Sequence, residues 1–461
     1  MSKFTLNSSK ENIFLVGHSE IERRLDPNPY HSDRIDAIEK LKKVTTQKLK
    51  YVVSSKKVQT KHINKNDIYI GLENIISNTG EYIATKDKNS ISSANIFKKG
   101  QILFPKLRPY LNKVYLAEFN GLCSTEFHVF TAKEISADYL SIYLKSNLVV
   151  NQTKHLMTGN TLPRLQTEDI NNIPVPVPSK EVQETIVKIY NRAFQAKQQK
   201  EQEAKALLDS VSEYLLGELG IELPEKDYSH NSRIFTTSFS ELSSNRFDCD
   251  YYMVYYQNLI GAIENTGFKT ELLDNVCHLV TNGKTPAKSD YSEEPTQYPI
   301  IKVGSYSNDY IDLDKVDYSQ STNSTPSEKG DIFILSAAHQ AEYVGRHIKY
   351  LKDEPALPTS FVGELICVRA NENKCNSMFL FSLLNTELFK SLLNREKTGQ
   401  TSHIYGKDIK SIKIPAPPIS KQIEIADHIA ALHLQSSTLN YEAKQLIEQV
   451  RLEIEQIILG E

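Results

Sequence analysis

The stretch I-P-V-P-V-P-S-K-E-V-Q, Ile173 to Gln183, recurs as I-K-I-P-A-P-P-I-S-K-Q, Ile412 to Gln422, and each copy then runs without proline or interior glycine to Gly217 and Gly460. Pro176, Pro178, Pro415, Pro417 and Pro418 hold the chain extended and cannot sit in a helix interior. Ser179 and Ser420 then fit as caps of a first turn. The pattern predicts a strand exit feeding one long helix, about 60 Å long at about 1.5 Å per residue. That is too long for the core helix of a small domain.

In the second copy Ile425, Ile429, Leu432, Leu439, Ala443, Leu446, Val450 and Ile457 follow alternating steps of four and three, with Ser436 filling one slot and Glu453 spoiling another. Such spacing is a coiled-coil seam. The first copy shows it at both ends, Val182, Ile186, Ile189, Ala193 and Ala196, then Ala204, Leu208, Val211 and Leu215, around a polar middle of K-Q-Q-K-E-Q-E. Two independent surface helices fit this pattern; two helices packed on each other fit it better, because the seams match in length.

The repeat extends beyond the helices. S-E-I with R-L-D and a tyrosine (Ser19 to Tyr30) recurs at Ser240 to Tyr252, K-K-G-Q-I-L-F at Lys98 to Phe104 recurs as E-K-G-D-I-F-I at Glu328 to Ile334, and Y-L-x-x-Y-L-x-S at Tyr139 recurs as F-L-x-x-L-L-x-T at Phe379. T-G-N-T at Thr158 returns as T-G-Q-T at Thr398, and L-L-G-E at Leu215 matches Ile458 to Glu461. One unit is written twice, with landmarks kept and the loops between them changed, as in two related binders with different ligands. Within each unit short β-rich runs, Asp67 to Leu72, Gln101 to Phe104, Val114 to Ala117 and Phe127 to Thr131, then Tyr298 to Val303, Ile332 to Leu335 and Leu365 to Arg369, are broken by Gly, Asn and Asp. Helices are expected before them (Ser32 to Val44, Met253 to Glu264) and after them (Ala137 to Lys145, Ser377 to Leu393). The fold class is α+β: globular segments at 1–178 and 233–419, long helices at 179–219 and 420–461, and a linker at 220–232.

No apolar run approaches the ~18 residues that span a bilayer, and Met1 to Lys10 is polar, so neither secretion nor a membrane partner is expected. Cys123, Cys249, Cys277, Cys367 and Cys375 form no C-x-x-C pair and no metal spacing, as expected of reduced thiols in cytoplasm. The net charge of -3 hides an asymmetry. Residues 1–178 carry 25 Lys+Arg against 17 Asp+Glu, a net +8, whereas 229–419 carry 19 against 23, a net -4. The first segment is a candidate polyanion surface; the second can meet nucleic acid only through a local patch.

Apparent enzyme motifs dissolve on inspection. D-P-N-P-Y at Asp26 resembles the base-holding loop of adenine methyltransferases, but Asn28 separates the prolines, the second copy reads D-C-D-Y-Y, and no glycine-rich cofactor loop follows a strand. The shared Asp is expected to cap or turn the chain. N-G-K-T at Asn282 has His278 where a phosphate loop needs its first glycine, and Pro286 blocks the helix that should follow. No catalytic residue, cofactor site or metal site is expected.

The polar clusters that remain suit DNA. K-L-R-P-Y-L-N-K brings Lys106, Arg108, Tyr110, Asn112 and Lys113 after one strand; Arg can bond guanine and Asn adenine with two parallel bonds, while Lys and Tyr reach phosphates. The corresponding place in the second unit carries His339, Gln340, Tyr343, Arg346 and His347, with Lys284 and Lys288 in another loop. The T-G-x-T loops add Asn160 and Arg164 in one unit and Gln400, His403, Tyr405 and Lys407 in the other. A solvated turn is the alternative for each cluster: the positive charge density of the basic segment favours DNA for the first, Glu342 dilutes the second, and the T-G-x-T loops also suit a shared tight turn.

Together these features resemble the specificity (S) subunit of type I restriction-modification systems. The family's I-P-x-P-x-x-x-x-x-Q element stands here as Ile173 to Gln183 and, with lysine for the first proline, as Ile412 to Gln422, and its G-x-T loop is present at Gly159 and Gly399. The resemblance covers nearly the whole chain. It implies two target-recognition domains and two spacer helices paired as an antiparallel coiled coil. It also implies a non-catalytic chain that reads a bipartite, asymmetric site on double-stranded DNA. Two methyltransferase subunits would dock on it and methylate adenine with their own S-adenosylmethionine, and restriction subunits would join to cleave. The competing expectation, from the acidity and the polar mid-helix, is a coiled-coil scaffold for other proteins without DNA specificity.

Overall fold

The computed structural model describes residues 25–461 apart from 56–57, 65, 85–91, 160, 228, 231, 233, 240–241, 243–245, 322–324 and 400–401. Two compact units form, Met1–Glu201 with Asn440–Glu461, and Gln202–Leu439. The fold is mixed α+β in each, and both long helices are present, Lys180–Glu218 of 39 residues and Ile419–Leu459 of 41.

In the first unit the wholly buried strand Ile102–Pro105 lies between Phe127–Ala132 and Tyr115–Leu116, antiparallel to both, with Leu103 facing Val129 and Tyr115. A second sheet orders Gln59–Thr60, Ala94–Phe97, Gly121–Cys123 and Tyr69–Ile70, the last pair parallel. The strand exit Pro174–Pro176 pairs with Thr46–Lys48. The second unit repeats the plan. Ile332–Leu335 lies between Leu365–Ala370 and Ile348–Tyr350, Pro299–Ile301 runs parallel to Ser360–Phe361, and Lys413–Pro415 pairs with Thr270–Leu272.

Shared sequence becomes shared backbone. Gly100 and Gly330 both take left-handed φ, +82° and +92°, which a β-carbon disfavours, so each copy needs glycine at this turn. The residue after it closes the turn: Gln101 Oε1 accepts from the Lys98 N–H at 2.7 Å, and Asp331 Oδ2 from the Glu328 N–H at 2.8 Å. The R-x-D pair of the second copy acts as a cap. Asp248 holds Arg246 through two bonds of 2.9 Å, and Arg246 donates to the carbonyls of Arg395, Glu396 and Lys397 that end helix Glu387–Arg395. The first copy's Arg24 lies outside the described residues.

The helices pair within each unit. In the first, Ile186, Tyr190 and Ala193 share a core with Val450, Ile454 and Ile458, and Lys200 bonds Glu442 at 2.6 Å. In the second, Ser436 Oγ donates to the Ala204 carbonyl at 2.9 Å, Tyr214 lies over His428, and Lys421 bonds Glu218 at 2.6 Å, so rising numbers meet falling ones and the pairing is antiparallel. Burying one isoleucine such as Ile425 or Ile454 contributes about 1.5–3 kcal/mol. The polar middle of the first helix is used inward as well. Lys197, its side chain 8 % exposed, meets Glu81 at 2.5 Å and Glu201 at 2.8 Å. Burial opposes its charge, but the two carboxylates outweigh burial and raise its pKa.

Four local expectations change. Ser179 caps its helix, its Oγ accepting from the Val182 N–H, but the second helix begins at Ile419 and leaves Ser420 inside the first turn. Gly217 lies within its helix; Gly220, φ +66°, is the counterpart of Gly460, φ +71°, because two more apolar residues, Leu219 and Ile221, stay buried past Gly217. Ile454 takes the seam position that Glu453 spoils. The helix expected over Ser377 to Leu393 is two, Ser377–Leu384 and Glu387–Arg395, because Thr386 caps the second through the Phe389 N–H. All five cysteines are free, and burial pushes the Cys123 and Cys277 thiols up to about 12. Among the described residues no helix is long and apolar enough to cross a membrane.

Candidate nucleic-acid interface

Strand Ile102–Pro105 delivers Lys106, Leu107 and Arg108 to a tight loop around the 3-10 turn Pro109–Leu111. Arg108 and Asn112, the residues flanking that turn, both sit at φ +49°, a conformation rare outside glycine. The loop is held from beneath. Asn112 is 2 % exposed, its amide donating to the Lys145 carbonyl at 2.9 Å and to Asn78 Oδ1 at 3.1 Å, and Lys113 Nζ donates to the Leu72 carbonyl. The expectation that Asn112 faces a base thus meets a side chain turned into the protein. Arg108 and Tyr110 face outward, and no ion pair involves Arg108 among the described residues.

The T-G-N-T loop, which begins 53 residues after Pro105, folds onto this one. Thr158 and Arg164 exchange two backbone bonds of 2.9 Å, the Arg108 N–H donates to the Pro163 carbonyl, and the Leu165 N–H to the Lys106 carbonyl. Arg164 grips Glu126 with Nε–Oε2 at 3.0 Å and Nη2–Oε1 at 2.9 Å. That bonded guanidinium holds the Glu126 carboxyl below its usual range, so Arg164 is largely neutralised where it stands. Gly159 takes φ +96°, which accounts for the glycine of the motif. Asn160 lies outside the described residues.

The second unit builds the same frame. The Ile404 N–H donates to the Ser336 carbonyl as Leu165 does to Lys106, and the Ser336 N–H to the Glu364 carbonyl as Lys106 does to Glu126. His403 bridges Thr398 and Ala337 as Arg164 bridges Thr158 and Leu107. Arg164 and His403 therefore occupy one structural position. Around it the chemistry differs: Glu364 accepts from Thr285 Oγ1 at 2.9 Å where Glu126 holds an arginine. The rings of His403 and Tyr405 lie nearly parallel, centroids 6.4 Å apart, and Lys407 Nζ stands 5.8 Å from the Tyr405 ring. Gln400 lies outside the described residues.

Asn282 ties a third loop to these two, accepting from the Gly406 N–H at 2.8 Å and approaching Ser336 Oγ at 3.4 Å. A β-carbon at Gly283 would meet the Phe361 carbonyl at 2.2 Å, so the N-G pair is set by close packing and not by a phosphate. Lys284 follows it, exposed. His339 and Gln340 are exposed on the loop after Ser336. Arg346 points elsewhere, into Glu387 at 2.6 and 2.8 Å. Sequence reasoning missed Glu126, Asn282 and Glu364. The repeated strand around them was the available signal, but their bonds join loops distant in the chain.

His31, Asp33 and His155 are the grouping of metal-ligand types among the described residues, with ligand atoms within 4.8 Å. The arrangement does not suit an ion. Lys154 already bonds Asp33 at 2.5 Å, and the two imidazoles stack face to face, centroids 4.0 Å apart and 12° from parallel, so their in-plane lone pairs do not converge.

Known proteins bear on this geometry. The chain is 30% identical over 132 residues to the "Type I restriction enzyme EcoDI specificity subunit" of Escherichia coli, covering 28% of this chain and 30% of that one. It is 26% identical over 196 residues to the "Putative type I restriction enzyme MjaX specificity subunit" of Methanocaldococcus jannaschii, covering 41% and 44%. The aligned stretches thus span less than half of these curated relatives. A chain of the solved structure described as "Structural basis underlying complex assembly and conformational transition of the type I R-M system" shares the fold, with 18% identity, TM-score 0.50, and coverage of 90% of this chain and 96% of that one. The family described as "Type I restriction modification DNA specificity domain" matches residues 40–206 and 265–449, one stretch in each repeat. By that match across both repeats, the chain belongs to the type I restriction modification DNA specificity family.

Proposed function

We propose that this chain is the DNA-reading subunit of a type I restriction-modification complex, itself without catalytic groups. Each globular body reads one half of a two-part, asymmetric site on double-stranded DNA. The observation that carries this reading is the pair Arg164 and His403: one backbone frame, built twice, with different side chains at the same place. Two copies of one binding plan with unlike chemistry suit two half-sites of unlike sequence.

In the first body Lys106, Arg108, Tyr110 and Arg164 contact DNA, with Asn112 and Lys113 supporting them. In the second, Lys284, His339, Gln340, His403, Tyr405 and Lys407 do so, with Arg346 at the margin. Asn160 and Gln400 belong to the same two loops. Residues 1–178 and 233–419 are the two recognition domains, and the long helices fix the gap between half-sites. Two methyltransferase subunits bind this chain and modify adenine, and restriction subunits add cleavage.

The test is footprinting of the chain reconstituted with its methyltransferase partner, after the methylated motif has been read by methylome sequencing of a host carrying both. Protection confined to a two-part motif supports the proposal. Sequence-independent protection by the full complex refutes it.

A further inference from the structure

Gln183 and Gln422 make the same bonds in the two units. Gln183 Oε1 accepts from the Ser136 N–H at 3.0 Å while Nε2 donates to the Pro178 carbonyl at 3.0 Å. Gln422 Oε1 accepts from the Asn376 N–H at 2.9 Å while Nε2 donates to the Pro417 carbonyl at 2.8 Å and the Lys374 carbonyl at 3.2 Å. Both side chains are buried, 6 % and 1 % exposed. Ser136 and Asn376 are themselves the caps of helices Ala137–Leu144 and Ser377–Leu384, accepting from the Tyr139 and Phe379 N–H groups. One amide thus ties three things: the first turns of the long helix, the proline exit that feeds it, and the start of the helix that lies against the reading sheet. An amide suits the position because it both donates and accepts, and a buried backbone group left without its partner is costly.

The two clamps differ in their support. In the first unit Tyr139 and Tyr143 add hydroxyl bonds to the Pro176 and Pro174 carbonyls of the same exit. The repeat places Phe379 and Leu383 at those positions in the second unit, which have no hydroxyl to give. Gln422 is therefore the polar side chain on which that junction depends most.

We infer that Gln183 and Gln422 are positioning residues that set the angle of each recognition body on its long helix and so set the tolerance for half-site spacing. This rests on the two-part-site reading proposed above. It goes beyond that reading by assigning spacing control to two side chains that touch neither DNA nor substrate.

The experiment uses the full chain with its methyltransferase subunits. Methylation rates are measured on duplexes that keep both half-sites and vary the gap one base pair at a time. The variants are Gln183→Leu, Gln422→Leu and Gln422→Glu; the glutamate keeps the acceptor for the Asn376 N–H but loses the donor, and so serves if the leucine variant does not fold. For Gln422→Leu or Gln422→Glu, the preference for the native gap over gaps one base pair longer or shorter falls at least fivefold, with base preference within each half-site unchanged. Gln183→Leu gives a smaller fall, because the two tyrosines remain. An unchanged gap preference in a folded variant, or an equal rate loss at every gap, overturns the inference. A native complex indifferent to the gap instead overturns the two-part reading beneath it.

Discussion

Arg164 and Glu126 are joined by two parallel bonds of 3.0 and 2.9 Å at the centre of the first candidate interface. A guanidinium so held has a fixed direction but little net field, since the carboxylate beside it stays charged. Replacing Glu126 with Gln should release that charge toward phosphate. Binding isotherms of the reconstituted complex across a salt series are expected to show tighter association and a log K against log salt slope steeper by about 1. An unchanged slope would mean that Arg164 never approaches the backbone.

Arg108 is exposed and, among the described residues, has no such ion-pair partner. Arg108→Ala is expected to weaken discrimination at one base position by about 1–3 kcal/mol if the side chain reads a guanine, with other positions untouched. A uniform loss over all sequences would assign it to phosphate. Competition binding against a panel of single-base variants separates the two.

Lys197→Met tests the polar centre of the first long helix. The ammonium lies between Glu81 and Glu201 with little access to water, so removing it takes from the partly buried Glu81 the cation that faces it. Breaking such a pair from one side costs about 3 kcal/mol, read as a lowered denaturation midpoint. The double variant Lys197→Met, Glu81→Leu should recover most of that loss.

Glu396 gives a pH signature. Burial lifts its carboxyl to about 7 despite Arg395 and Arg246 nearby, so the folded protein holds a proton that the unfolded chain gives up near 4.5. The linked stability is fully present below about 4.5 and is lost as pH rises through about 7. Glu396→Gln should flatten the decline in melting temperature across that window, a difference of about 1–3 kcal/mol at its alkaline end. Equal pH profiles for the two proteins would contradict the assignment.

What could be read in the chain was what is local. Prolines at 176, 178, 415, 417 and 418 and the four-three spacing after them announce both long helices, because a helix ends and buries by rules that act within a few residues. The repeated K-G turns and the central strands were legible for the same reason. The candidate interface was legible only in part. Arg108, Tyr110, Tyr405 and Lys407 are exposed as their chemistry suggests, but nothing near Asn112 in sequence discloses that its amide serves Lys145 and Asn78 from inside. The same holds for Ser436, which looks like a flaw in the seam. It is a hydrogen-bonded close approach to the Ala204 backbone, and a leucine there would overpack it.

The first body is completed by residues that follow the second body in the chain. Val450, Ile454, Ile458 and Leu459 share a core with Leu41, Leu144 and Ile186, so the ribosome must deliver all of the second body, residues 202–439, before the first can close. A nascent chain therefore waits with an open hydrophobic flank throughout synthesis of the second body. A frameshift just after residue 439 would strip the first body of part of its core while leaving the second body's residues as they are.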